Sequence, residues 1–140
     1  MNDSQFEEQK TRIVALEQRW IETLGLRAWD IDTEYVRGDF TSDGDPAPHV
    51  LATSKVDARY MHARVSWNMH KLTAETDREL EYAFLHEFMH IFVNEMRPSR
   101  LQTPEDHALE SEDRWHEERV ATMLGWAFLW TREAVLKEGA

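Results

Sequence analysis

The run HEFMH places His86 and His90 four residues apart, with Glu87 directly after the first histidine. In a helix, side chains four residues apart project from the same face one turn apart, so both imidazoles can bind one metal ion. Hydrolytic zinc centres combine neutral imidazole ligands with a nearby carboxylate that accepts a proton from metal-bound water. The spacing therefore predicts a Zn²⁺ site on His86 and His90, with Glu87 as the general base.

Apolar residues surround this run, because positions 83–85 and 91–93 carry only Ala, Phe, Leu, Ile and Val. A helix that is apolar nearly all round is buried. Buried imidazoles and carboxylates destabilise a fold when they have no partner, and a metal ion relieves that cost. The alternative is that both histidines are hydrogen-bonded core residues and that Glu87 pairs with an arginine.

A zinc ion bound by two histidines needs a third protein ligand, with the fourth position left for water. A third histidine six residues after His90, the metzincin arrangement, is excluded because that position is Met96. The remaining His- and Glu-rich segment is 111–123, SEDRWHEERVATM. Helical periodicity puts Glu117 within the apolar stripe of this last helix and Glu118 at its edge. We therefore prefer Glu117 as the ligand, with Glu118 left open because helix register is uncertain by about two residues.

Together, HEFMH in an apolar helix and a glutamate followed by VATML in a second helix resemble the gluzincin class of HExxH metallopeptidases. The block 57–96 is similar to small zincin-like proteins encoded by phages and prophages, and the resemblance covers about two thirds of the chain. It implies a zincin-like fold and a metallopeptidase that acts on a peptide or protein substrate. It also implies Zn²⁺ bound by His86, His90 and Glu117, with Glu87 as the base.

The chain departs from the gluzincin pattern at Ala121. Gluzincins often carry an aspartate four residues after the glutamate ligand, where it orients one of the histidines. Here other groups must orient the imidazoles, and Asp113 and Glu79 are the candidates.

The residue that stabilises the oxyanion is left open by the sequence. Its candidates are Tyr60, His62, Tyr82, His107 and His116. One face of a predicted strand, formed by His62, Arg64, Ser66 and Asn68, is a candidate lining of the cleft, because extended substrates pair with edge strands.

Two other functions use the same residues. The pairs Glu87-x-x-His90 and Asp113-x-x-His116 have the spacing of di-iron helical bundles, but a bundle needs four long helices. A non-catalytic binding or regulatory protein stabilised by zinc would close the fourth metal position with a protein ligand such as His107 or His116.

The elements that position these residues follow from periodicity. Apolar residues from Phe6 to Leu24 repeat at the spacing of one helix face, and Gly25 ends that helix. Alternating patterns predict strands over 29–35, 56–60 and 63–69, separated by a loop over 39–49.

The second half of the chain is predicted to be helical. Thr76 and Glu79 form a capping box that starts a helix reaching about Met96. Thr103 and Pro104 start a last helix that reaches about Lys137. The order predicts an α+β fold with an N-terminal helix, a short, mainly three-stranded sheet, an active-site helix and a C-terminal helix.

Composition limits the class of protein. A chain of 140 residues with 41% hydrophobic residues can form one core, so we expect a single domain over 1–140. The net charge of −11 disfavours nucleic acid and anionic membranes as partners. No cysteine is present, so a metal site must use histidine and carboxylates. No signal peptide or apolar span is evident, which predicts a cytoplasmic location.

Overall fold

Helices flank a small sheet on one of its faces. The computed structural model describes residues 1–38, 40–42, 45–47, 50–94 and 104–139, and for 40–42, 45–47 and 104–113 it describes the backbone only. The helices are α1 (Asp3–Thr23), α2 (Met69–Leu72), α3 (Asp77–Asn94) and α4 (Pro104–Glu138). The strands are β1 (Asp30–Val36), β2 (Phe40–Ser42), β3 (Asp45–Ala47), β4 (Ala52–Asp57) and β5 (His62–Asn68). The predicted α+β class is confirmed.

The strands predicted over 29–35 and 63–69 match β1 and β5 to within one residue, whereas the strand predicted over 56–60 overlaps β4 only at 56–57. The alternation over 56–60 predicted a strand there, but β4 ends at Asp57 and a 3-10 turn follows over Ala58–Tyr60. Met61 then adopts a left-handed conformation with φ 49°, which reverses the chain into β5. The segment 39–49, predicted to be a loop, contains the antiparallel pair β2 and β3.

Strand β5 is the centre of the main sheet. It pairs in parallel with β1 and antiparallel with β4, so β4 is an edge strand. The register places Asp32 opposite Arg64 and Lys55 opposite the same arginine on the other side. Because side chains alternate along a strand, this register fixes which face of the sheet meets the helices.

The helix-covered face of the sheet forms the core. On β5, Ala63, Val65 and Trp67 are fully buried, and the Trp67 ring stacks on Phe84 of α3 with centroids 6.1 Å apart. The opposite face is polar: Arg64 donates to Asp32 at 3.0 Å and Ser66 donates to Glu34 at 2.6 Å. The cleft over His86 and His90 does not include the predicted lining residues His62, Arg64, Ser66 and Asn68. Strand β5 lies inside the sheet, Arg64 and Ser66 pair with β1, and Asn68 caps α2.

Helix α3 begins where the capping box predicted. The Thr76 backbone amide and hydroxyl both donate to the Glu79 carboxylate, at 2.8 and 2.7 Å. Glu79 is therefore used at the start of the helix and does not orient a histidine. The predicted end of this helix near Met96 lies outside the described residues.

Helix α4 begins with Pro104 as its first residue, as predicted, whereas its predicted cap, Thr103, lies outside the described residues. The helix packs along α3 and buries Ala121 and Leu129. None of the helices in the described part of the chain has the length and apolar character required to span a lipid bilayer.

Glu81 joins three helices beneath the sheet. Its side chain is 5% exposed. One carboxylate oxygen accepts from Arg19 Nη1 at 2.9 Å and from Trp20 Nε1 at 2.8 Å, and the other accepts from Arg132 Nη1 at 2.6 Å. A buried carboxylate with three charged or polar donors is stable in place, whereas removing it leaves the donors without partners.

We predict that Glu81→Ala lowers the free energy of unfolding by about 2 kcal/mol, because Trp20 loses its buried acceptor and two arginines lose their anion. Urea denaturation measures the change. The matched control is Glu133→Ala, which removes the solvent-exposed pair with Arg78 and should change stability much less. Equal losses in both variants would contradict the role given to Glu81.

Candidate metal centre

Helix α3 presents both histidines of HEFMH on one face, as the four-residue spacing predicts. The Nε2 atoms of His86 and His90 lie 3.2 Å apart, and their side chains are 18% and 8% exposed. Two nitrogens that approach this closely must share either a hydrogen bond or a common cation.

Glu118 of α4 brings a carboxylate to the same point. Its two oxygens lie 3.3 Å from His86 Nε2 and 3.4 Å from His90 Nε2. Within the part of the chain that the structure describes, these three residues are the group of histidines and acids close enough to hold a metal ion, with ligand atoms inside 4.8 Å of one another.

These separations fit a tetrahedral metal. Zinc binds nitrogen and oxygen ligands at about 2.0–2.2 Å, so two ligands of a regular tetrahedron are about 3.4 Å apart. The two Nε2 atoms lie 3.2 Å apart, and they lie 3.3 and 3.4 Å from the two different oxygens of Glu118. The donor types and these separations are compatible with one Zn²⁺, which His86, His90 and one oxygen of Glu118 would hold.

Glu117, which the sequence favours as the third ligand, does not lie beside the two Nε2 atoms. Its Oε1 is 2.9 Å from Nδ1 of His90, on the side of the ring away from Nε2, and its side chain is 11% exposed. A carboxylate on Nδ1 fixes the tautomer that leaves Nε2 free to bind a metal. The structure thus places Glu117 behind His90 as an orienting group, and Glu118, the alternative, beside the two Nε2 atoms.

Thr122 supports the other imidazole. Its hydroxyl oxygen lies 3.3 Å from Nδ1 of His86. Thr122 stands four residues after Glu118, whereas Ala121 stands four residues after Glu117. Asp113, the remaining candidate for this support, has a side chain outside the described part of the structure.

The two histidines differ in their affinity for protons. Burial lowers the pKa of His86, and the neighbouring His90 lowers it further. Burial also acts to lower the pKa of His90, but the hydrogen bond with Glu117 and the charges of Glu87 and Glu118 outweigh it, so that pKa is raised. A metal ion competes with protons for these nitrogens, and the imidazole must be neutral to bind it.

Glu87 lies next to the histidines but outside the set of three converging ligand atoms. Burial raises its pKa to about 7, against smaller opposing effects of His90 and of a hydrogen bond with Ser54. A carboxyl group with a pKa near neutrality can both accept and donate a proton, as a general base requires. Ser54 was not singled out by sequence, because an isolated serine in a strand carries no distinctive signal.

A cleft of about 780 Å³ opens over this centre. One wall is the consecutive segment 50–56, which contains most of the edge strand β4, and the other wall includes His86, Glu87 and Glu118. Asn94 and Arg114 also line it. The edge strand that borders the cleft is therefore β4, where the sequence had suggested β5.

Five residues are candidates for the oxyanion donor. Among the candidates whose side chains are described, Tyr82 lines the cleft. Its ring stacks on Trp126 with centroids 4.1 Å apart, which holds it in place. Tyr60 is 76% exposed on the 3-10 turn, and the side chain of His116 is also exposed. His107 has a side chain outside the described part.

Gly125 permits the close contact between α3 and α4 at this site. A Cβ atom there would lie 3.3 Å from the backbone nitrogen of His86, 3.5 Å from its Cα and 3.5 Å from the Tyr82 ring. Backbone atoms within a helix cannot move without moving the helix. The glycine therefore lets α4 approach closely enough for Glu118 and Thr122 to contact His86.

We predict that Gly125→Ala separates the two helices and weakens metal binding. Alanine gains about 1 kcal/mol of helix propensity, but overpacking against His86 costs about 1–3 kcal/mol. Competition with a coloured chelator measures zinc affinity, and thermal denaturation measures stability. Gly38→Ala is the control, because a Cβ at Gly38 meets nothing within 4 Å. Unchanged zinc affinity in Gly125→Ala would contradict this role.

Comparison of the chain with models of known protein families, with curated proteins and with solved structures found no match.

Proposed function

We propose that this chain is a zinc-dependent hydrolase, a metallopeptidase of zincin-like fold, in which His86, His90 and Glu118 hold the metal. The observation that carries the proposal is that the Nε2 atoms of His86 and His90 lie 3.2 Å apart and each lies within 3.4 Å of one oxygen of Glu118, with a carboxylate behind one imidazole and a hydroxyl behind the other. The proposal replaces Glu117 with Glu118 as the third ligand. Glu117 instead orients His90 from Nδ1.

The arrangement supports hydrolysis because a base stands beside the centre. Zn²⁺ held by His86, His90 and Glu118 would supply a Lewis acid that activates a water for attack. Glu87, which lines the cleft beside these residues, is the group placed to accept a proton from the attacking water and to return it to the leaving amine. Ser54 holds the Glu87 carboxylate through a hydrogen bond. Tyr82, fixed by Trp126, is the donor we assign to the substrate's carbonyl oxygen.

An extended peptide fits the cleft. Among the described residues, β4 is hydrogen-bonded to β5 on one side only, so the backbone groups of its other edge are available for pairing. The cleft follows the consecutive residues 50–56, of which 52–56 belong to β4. A peptide that pairs with an edge strand presents its backbone regularly along that strand, which favours a peptide substrate over a small molecule.

Alanine substitution of each of the two glutamates in turn tests which of them is the metal ligand. We expect Glu118→Ala to abolish tight zinc binding, and Glu117→Ala to weaken it by about 10- to 100-fold, as is typical when a group that orients a ligand is removed. Zinc affinity is measured by chelator competition on the purified variants.

The control for this pair is Glu138→Ala, which removes one negative charge from the exposed end of the same helix. It should bind zinc as the unmodified chain does. A larger loss in Glu117→Ala than in Glu118→Ala would reverse the assignment and restore Glu117 as the ligand.

Substitution of the base tests for catalysis. We expect Glu87→Gln to keep one equivalent of zinc and to lower the rate of peptide cleavage by about 10²- to 10⁴-fold, because only the proton acceptor is lost. Metal analysis and mass spectrometry of a peptide library give the two measurements. If the unmodified chain binds zinc and cleaves nothing, the chain is the alternative, a non-catalytic zinc-stabilised binding or regulatory protein.

A further inference from the structure

Helix α4 has a second face that the metal site does not use. Val120, Met123 and Trp130 are 38%, 59% and 58% exposed, and Ala127 and Ala134 between and after them are also exposed. Large apolar side chains exposed in a continuous row mark contact surfaces in soluble proteins. We call these five residues the α4 stripe.

The α4 stripe lies away from the core. Ala121 and Leu129 are fully buried on the opposite side of the same helix, where α4 packs against α3. Glu118 and Thr122, which contact the histidines, also lie on that side. A partner can therefore cover the stripe without entering the metal centre.

The spacing of the stripe is that of a helix-pairing surface. Its residues stand at intervals of three, four, three and four, which is the a/d repeat of coiled coils. The d positions hold the wide side chains Met123 and Trp130, and the a positions hold the narrower Val120, Ala127 and Ala134. A surface that alternates wide and narrow residues is complementary to its own reversed copy.

We propose that the α4 stripe joins two copies of this chain in an antiparallel, two-fold symmetric helix pair. In such a pair, residues at the a positions of one helix face residues at the d positions of the other. Ala127 therefore faces Met123 of the second copy, and Val120 faces Trp130 of the second copy. A parallel pair would stack Trp130 on Trp130 and leave a gap between the alanines. A two-fold pair uses each contact twice, which suits a self-complementary surface.

The charges beside the stripe agree with this register. Arg119 precedes Val120, and it has a ring contact with Trp115 but no carboxylate partner among the described residues. In the antiparallel register, Arg119 lies about two residues from the level of Glu133 of the second copy, on the same side of the seam, and Glu133 would then accept from Arg119 as well as from Arg78 of its own chain. The pairing of opposite charges then occurs twice, once at each end.

The size of the contact sets its strength. The four facing layers extend over about 15 Å of helix, which is less than an interface of standard size requires. Each copy also carries a net charge of −11, and this opposes association at low salt. We therefore expect a dimer with a dissociation constant in the micromolar range.

Sedimentation velocity over a concentration series tests the proposal with the full chain. The unmodified chain should pass from monomer to dimer, and Met123→Glu should weaken the association by at least about tenfold. The matched control is Leu136→Glu, because Leu136 is 56% exposed on the same helix but off the stripe. A chain that stays monomeric at every concentration, or an equal effect of both substitutions, overturns the proposal.

Ala127→Trp distinguishes a specific contact through the α4 stripe from non-specific hydrophobic association. The substitution adds apolar surface but fills the space that Met123 of the second copy would occupy, so it should weaken the dimer. Stronger association in this variant would overturn the proposal. Circular dichroism confirms that the variants remain folded, which is expected because all the substituted side chains are exposed.

Cross-linking tests the antiparallel register. The chain has no cysteine, so introduced thiols report without background. Val120→Cys and Trp130→Cys lie opposite each other in the proposed pair, whereas two copies of either variant alone hold their thiols about 15 Å apart along the axis. A mixture of the two variants should form a disulfide and each alone should not. Disulfides formed by each variant alone would indicate a parallel pair and overturn the proposal.

Discussion

The close contact of α3 with α4 is the constraint on which the candidate centre depends. A metal site needs its donors within a few tenths of an ångström of their positions, and here they come from two helices. His86 sits against the one position on α4, Gly125, where the absence of a side chain allows the helix backbones to approach. Glu118 and Thr122 precede Gly125 on the same face of α4. The helix contact at Gly125 therefore also fixes the positions of Glu118 and Thr122 relative to His86.

Burial near this contact also determines the chemistry of the charged groups. The pKa of Glu87 rises because its carboxylate is removed from water, while the pKa values of His86 and His90 move in opposite directions because only His90 has a carboxylate on Nδ1. Farther along the same helix, Glu81 is equally buried but is matched by donors from α1 and α4. One acidic residue thus has a raised pKa because few donors oppose its burial, and the other holds the helices together.

Features that depend on local geometry could be predicted from sequence. The capping box of Thr76 and Glu79 and the shared face of His86 and His90 follow from the helix repeat alone, and both are present. The end of β4 could not be predicted, because Ala58 and Tyr60 continue the alternating pattern although the chain has already turned.

The third ligand depends on how α4 is rotated against α3, which is a tertiary property. Helical phase indicates that Glu117 is the more buried of the two glutamates, and the structure agrees. It does not indicate which atoms each carboxylate meets: Glu117 lies against Nδ1 of His90, whereas the half-exposed Glu118 lies beside both Nε2 atoms.

The parallel pairing of β1 with β5 has a consequence for the order of folding. Strands β4 and β5 are joined by a short turn, and α3 and α4 are consecutive helices, so both pairs form through contacts that are near in sequence. Strand β1 joins a partner 32 residues away, and Arg19 of α1 reaches Glu81 across 62 residues. Contacts between distant segments close slowly because the chain between them loses entropy first. The helix pair that carries the histidines can therefore assemble before the N-terminal third of the chain docks, and that docking step limits the rate at which the fold is completed.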